Sequence, residues 1–79
     1  SAALFGRGNF AGVNLTYVNF VGAYLEHANF KGAILSGVNF SGAEMGSATG
    51  LTQRQLDQTC GDAETELPRG LRIPVCVVH

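Results

Sequence analysis

The side chains best suited to chemistry in this 79-residue chain are two cysteines, Cys60 and Cys76, and two histidines, His27 and His79. The cysteines lie sixteen positions apart, and three arrangements fit that spacing. A disulfide would close a loop worth about 3 kcal/mol by the chain-entropy estimate, a large share for so small a domain. Two buried thiols would suit a cytosolic protein. A metal site built from Cys60, Cys76 and His79 would rest on one close pair, Cys76 with His79, where zinc sites usually show two. Cys60 with His79 is the best nucleophile and base on offer, and the bridge competes for the same sulfur. Ser36, Ser41 and Ser47 are not tied by spacing to either histidine. Gly6-Arg7-Gly8-Asn9-Phe10-Ala11-Gly12 reads G-x-G-x-x-x-G, one residue off the dinucleotide fingerprint. Asn14-Leu15-Thr16 is a formal glycosylation sequon. None of these makes a catalytic constellation, and we expect neither an enzyme nor a cofactor.

The elements that carry these residues follow an unusual period. Phe5, Phe10, Leu15, Phe20, Leu25, Phe30, Leu35, Phe40 and Met45 recur every fifth residue. Helices and strands repeat at about 3.6 and 2, so neither explains the pattern. Two positions earlier runs a column of small apolar residues, Ala3, Gly8, Val13, Val18, Ala23, Ala28, Ala33, Val38 and Ala43. Two inward columns in step define a solenoid, and they absorb the serines and glycines singled out above. Residues twenty apart sort like with like: Phe10 with Phe30, Phe20 with Phe40, Leu15 with Leu35, and Phe5 with Leu25 and Met45. Stacked rings gain beyond area burial, so this sorting favours a coil of twenty residues. Asn precedes the centre at Asn9, Asn14, Asn19, Asn29 and Asn39, and the same register predicts amide ladders of Asn9 with Asn29 and Asn19 with Asn39. Gly closes most pentads, as a turn with positive φ requires. Arg7, Tyr17, His27 and Ser47 break that rule, and we expect a different turn there.

Nine pentads from Ala3 to Ser47 resemble the pentapeptide-repeat family, whose pattern is A(D/N)LxX with Leu or Phe at the centre. The resemblance implies a β fold: a right-handed quadrilateral parallel β-helix with one pentad per side, here a little over two coils. Past Gly50 the pattern changes. Thr52 is a candidate N-cap with Gln55 in the capping-box position, Leu51 can staple onto Leu56, and Gly61 suits the left-handed residue after the helix. Leu71, Ile73, Val75 and Val77 alternate as in a strand, which Pro74 would confine to an edge. Leu51 to Leu71 looks like the C-terminal cap of bacterial pentapeptide-repeat proteins. We therefore divide the chain into a repeat region, 1–50, and a capping helix and tail, 51–79, within one domain. The register is already running at Ala3 and no Met precedes Ser1, so we expect upstream sequence, such as a signal peptide, to have been removed or omitted.

Composition narrows the partners. Net charge is −1 with 14% charged residues, so there is no basic field for phosphates, and direct nucleic-acid binding is not expected. No apolar run approaches the roughly 20 residues of a membrane span. What remains is a surface on which Leu4, Tyr17, Tyr24 and Ile34 project as large apolar residues. The leading expectation is a scaffold or protein-interaction module with an unidentified protein partner. The resemblance implies an alternative, since some members of the family imitate duplex DNA and bind DNA gyrase. That mimicry needs a long acidic rod, whereas two coils at about 4.8 Å each stand only roughly 10 to 15 Å tall. A third reading is a homodimer through the N-terminal coil. A bridged Cys60 and Cys76 would place the protein in the periplasm or another secreted site, and free thiols would place it in the cytoplasm.

Overall fold

The computed structural model of the chain describes residues 8–77. Its backbone is organised by parallel contacts between residues one period apart. Asn9 bridges Asn29, Asn14 bridges Ile34, Asn19 bridges Asn39, Tyr24 bridges Glu44 and Asn29 bridges Thr49. Each bridge is isolated, and among the described residues none extends into a strand, because the chain turns again within five residues. Two sets of hydrogen bonds make the ladder. The N–H of a repeat centre donates to the carbonyl nineteen residues on, as from Leu15 to Ile34 (2.8 Å) and from Leu25 to Glu44 (2.9 Å). The N–H of the residue before a centre donates back twenty-one residues, as from Ile34 to Val13 (3.0 Å) and from Glu44 to Ala23 (2.9 Å). Main-chain polar groups near the core are thereby paired without an extended strand.

Between bridges the centre's carbonyl accepts from the N–H three residues on, as in Phe10 to Val13 and Phe30 to Ala33 (both 3.0 Å). The third residue of this turn is left-handed: Gly12 has φ 70° and Gly42 φ 70°, as a type II turn requires. Tyr17 (φ 62°) and His27 (φ 64°) adopt the same conformation, so the expected different turn at those two corners is corrected. The ladder fixes the corner, and the side chain tolerates it. The left-handed residue is missing at Ser47.

The asparagines also act differently from the expected amide ladders. Their main chains pair across coils, but each Oδ1 turns back on its own corner. Asn9 accepts from Ala11 N–H (3.1 Å), Asn19 from Val21 (2.9 Å), Asn29 from Lys31 (3.0 Å) and Asn39 from Ser41 (2.9 Å). The second residue of the turn has no main-chain acceptor, and a short amide side chain two residues back can reach it.

Leu15, Phe20, Leu25, Phe30, Leu35, Phe40 and Met45 are buried with Ala23, Ala28, Ala33, Val38, Ala43 and Ala48, and Phe10 is half-buried. Phe10 stacks on Phe30 with centroids 5.2 Å apart and planes 11° apart, and Phe20 on Phe40 at 5.6 Å and 6°. Between the two columns the rings meet edge to face, with Phe30 and Phe40 at 85°. Phe5 lies outside the described residues.

After Gly50 the chain forms one short helix, α1 (Gln53–Leu56). Thr52 caps it: its Oγ1 accepts from Gln55 N–H (3.2 Å), and Gln55 Oε1 accepts from Thr52 N–H (2.8 Å). Leu56 is buried and Leu51 packs against the core. The expected helix exit at Gly61 is corrected. α1 ends at Asp57 in an ordinary right-handed conformation, and Gly61 has no positive φ. The chain is drawn back to the ladder instead, with Cys60 bridging Asn39 and Glu66 bridging Glu44. Gly61 is needed for room, since a Cβ there would lie 2.7 Å from Thr65 Oγ1 and 3.1 Å from Ile73 Cδ1. The terminal alternation is corrected as well. Leu71 and Ile73 pack against the core, but Val75 and Val77 are exposed and Cys76 turns inward, and only Val75 makes a bridge, to Gly61. The phase changes at Pro74, where the inward position passes to the cysteine bonded to Cys60.

Candidate functional site

Cys60 and Cys76 are joined as a disulfide, with Cα atoms 4.7 Å apart. Two elements bring them together. Cys60 is placed by its bridge to Asn39, and Cys76 by its N–H donating to Gly61 O (2.9 Å) while Gly61 N–H donates to Pro74 O (2.8 Å). Cys76 Sγ also lies 3.4 Å from Ser41 Oγ and 3.4 Å from Asn39 Oδ1. His79 lies outside the described residues. Among those residues no three His, Cys, Asp or Glu side chains gather as a metal site.

A second polar cluster was not legible in the sequence. Glu26 reaches across one coil to the corner at Gly46 and Ser47. Its carboxylate accepts from both main-chain N–H groups (3.0 Å each) and from the Ser47 hydroxyl, while Ser47 Oγ accepts from His27 N–H (2.9 Å). The Ser47 hydroxyl bond, the main-chain donors of Ser47 and Gly46, and the charge of His27 hold the Glu26 carboxyl below the usual carboxylate range, against a smaller opposing effect of burial. Ser47 thus has its proton on a carboxylate, the reverse of an activated nucleophile. The signal was present but non-local: the corner that lacks a glycine lies twenty-one residues from the acid that serves it.

The outward residues fall on separate ladders. Ile34 bridges Asn14 and is half exposed, and Tyr24 bridges Glu44. Tyr17, 81% exposed, lays its ring over the backbone of Gly37 one coil on. Tyr17 and Ile34 thus share one side of the stack, and Tyr24 belongs to another. Leu4 lies outside the described residues.

Comparison with protein families decides what such a register is. The family model described as Pentapeptide repeats matches residues 2–46 in eight copies. The chain belongs to the pentapeptide-repeat family. The matched span runs through all nine pentads read in the sequence except for the final Ser47, and pentapeptide repeats imply a β-helix fold. No curated protein and no solved structure matches the chain. No helix among the described residues is long and apolar enough to cross a membrane. In this pentapeptide-repeat chain Cys60 and Cys76 are bonded to each other, and the Ser47 hydroxyl and Glu26 carboxylate are spent on a corner and on each other.

Proposed function

We propose that the chain is a non-enzymatic scaffold or protein-interaction module. Its repeats wind as a right-handed quadrilateral β-helix of four pentads per coil, a little over two coils long, and the segment after Gly50 closes the end. The four-sided reading is supported by the rings: those twenty residues apart are nearly parallel, and those ten apart are nearly perpendicular. The observation that carries the functional reading is the contrast between the two kinds of surface residue. Ser47 and Glu26 are tied into a corner and the cysteines are bonded together, whereas Tyr17 and Ile34 face solvent on a rigid ladder. The partner is a protein, because the side offers exposed apolar and hydroxyl groups at fixed spacing and no concentrated charge. A gyrase-type DNA mimic finds no support in a body of 32 × 25 × 23 Å with net charge −1.

The test is partner capture on the wild type and on a Tyr17→Ser/Ile34→Ser variant of matched thermal stability. The reading expects a protein retained by the first and lost from the second. Identical partners on both, or a multiple-turnover hydrolase or oxidoreductase activity, beyond one stoichiometric exchange at the disulfide, that is abolished by Cys60→Ser or His79→Ala, would contradict it.

A further inference from the structure

We infer that Cys60 and Cys76 form a redox-active pair whose reduced state the fold is built to receive, and that a dithiol is the class of reagent that acts on it. The inference starts from the surroundings of Cys76. Its sulfur faces one donor, the Ser41 hydroxyl, and one acceptor, Asn39 Oδ1, each at 3.4 Å. A disulfide sulfur carries no proton, so Asn39 Oδ1 receives nothing from it. A thiol uses both neighbours, donating S–H to Asn39 and accepting from Ser41. The Asn39 amide cannot turn away, because its Oδ1 is held by the N–H of Ser41 at 2.9 Å. The environment therefore favours the reduced form, the condition that makes a disulfide a better oxidant.

Access and topology agree. Both cysteines are half-buried rather than sealed in the core. The ladder from Gly8 to Glu66 is closed by its own main-chain bonds, and none of those bonds involves Cys76. Opening the bridge leaves that stack intact and loosens only the segment pinned at Gly61.

The reaction balances as ordinary exchange. A thiolate of the dithiol attacks Cys60 Sγ, the Cys60–Cys76 bond breaks, and Cys76 leaves as a thiolate that the Ser41 hydroxyl stabilises and a proton then neutralises. The second thiol of the reagent attacks the mixed disulfide and releases Cys60 as a thiol. The dithiol is oxidised to its disulfide, and two cysteine thiols are gained. The inference stands whatever partner the module binds.

The experiment equilibrates the oxidised protein in mixtures of reduced and oxidised dithiothreitol, quenches by alkylation, and reads the reduced fraction by intact mass. Asn39→Ala is compared with Asn19→Ala, because Asn19 caps Val21 N–H at 2.9 Å in the same way with no sulfur beside it. Loss of one acceptor should lower the reduction equilibrium constant of Asn39→Ala about fivefold, leave that of Asn19→Ala unchanged, and leave the far-ultraviolet circular dichroism of the reduced wild type unchanged. Ser41→Ala, which keeps every main-chain bond, should be reduced severalfold more slowly. Equal constants in wild type and Asn39→Ala, a shift shared by Asn19→Ala, an unchanged rate in Ser41→Ala, or unfolding on reduction would each overturn the inference.

Discussion

The side-chain amide of Gln55 donates to the carbonyl of Ala33 at 3.0 Å and to that of Phe30 at 2.8 Å. On every earlier side among the described residues a carbonyl in the position of Ala33 accepts from the main-chain N–H twenty-one residues on, as Ala28 does from Thr49 (2.8 Å). At Ala33 that donor would be Arg54, which α1 has withdrawn into a helical turn. Gln55 restores the missing bond with its side chain while its Oε1 closes the capping box. One residue both starts the helix and joins it to the repeats.

Gln55→Glu keeps the capping oxygen and removes the donor. It should cost about 2 to 3 kcal/mol, because two half-buried carbonyls lose a partner and meet a carboxylate instead. Thr52→Ala, which loses only the cap, should cost about 1 kcal/mol. Denaturant melts of the two variants check the order, and equal losses would show that the carbonyls find another donor.

His27 occupies a left-handed corner at φ 64°, a conformation costing an L residue about 1 kcal/mol that glycine adopts freely. His27→Gly should raise stability by about 0.5 to 1 kcal/mol, or a few degrees in Tm. Gly37→Ala should do the opposite, since its Cβ would overlap the Tyr17 ring. Thermal unfolding of both variants is the check.

The Glu26 carboxyl is held low by the Ser47 hydroxyl and the corner N–H groups. A group whose folded pKa is depressed adds stability that is fully present above its unfolded pKa, about 4.3. That stability is lost as pH falls through the folded value. Glu26→Gln should therefore be less stable than wild type at neutral pH, by less than about 1 kcal/mol since the site meets solvent. The gap should hold down to the unfolded pKa and close below it. Melting curves from neutral to strongly acid pH test the sign.

Gly61→Ala places a Cβ against Thr65 and Ile73 and should cost about 1 to 3 kcal/mol through overpacking. Gly70→Ala sets the comparison for backbone strain alone, because Gly70 is left-handed at φ 85° with nothing within 4 Å of its Cβ position. If both variants lose the same amount, crowding is not what Gly61 relieves.

The sequence exposed what repeats and concealed what the repeats do to one another. The rings of Phe10, Phe20, Phe30 and Phe40 could be placed because a five-residue period and a twenty-residue sorting are local counts. Thr52 and Gln55 could be read because a capping box lies within four residues. The second task of Gln55 could not, since it depends on carbonyls more than twenty residues earlier. Gly61 looked like a helix exit because its neighbour in space, Ile73, stands twelve residues later. The Asn side chains misled for a simpler reason: stacking residues twenty apart suggests stacked amides, yet the nearest unpaired donor is the N–H two residues on.

Every described repeat centre except Leu35 is tied by its own N–H to the next layer of the stack. Amide hydrogen exchange resolved by residue measures this directly. Slow exchange is predicted at Leu15, Phe20, Leu25, Phe30, Phe40 and Met45, all of which donate across coils at 2.8 to 2.9 Å. Fast exchange is predicted at exposed corner positions such as Ala11 and Val21, whose N–H groups are held only by a neighbouring Asn side chain. Protection interrupted every fifth residue, at the second residue of each turn, supports the account. Uniform fast exchange, or protection in long unbroken runs as in a helix or extended strand, would contradict it.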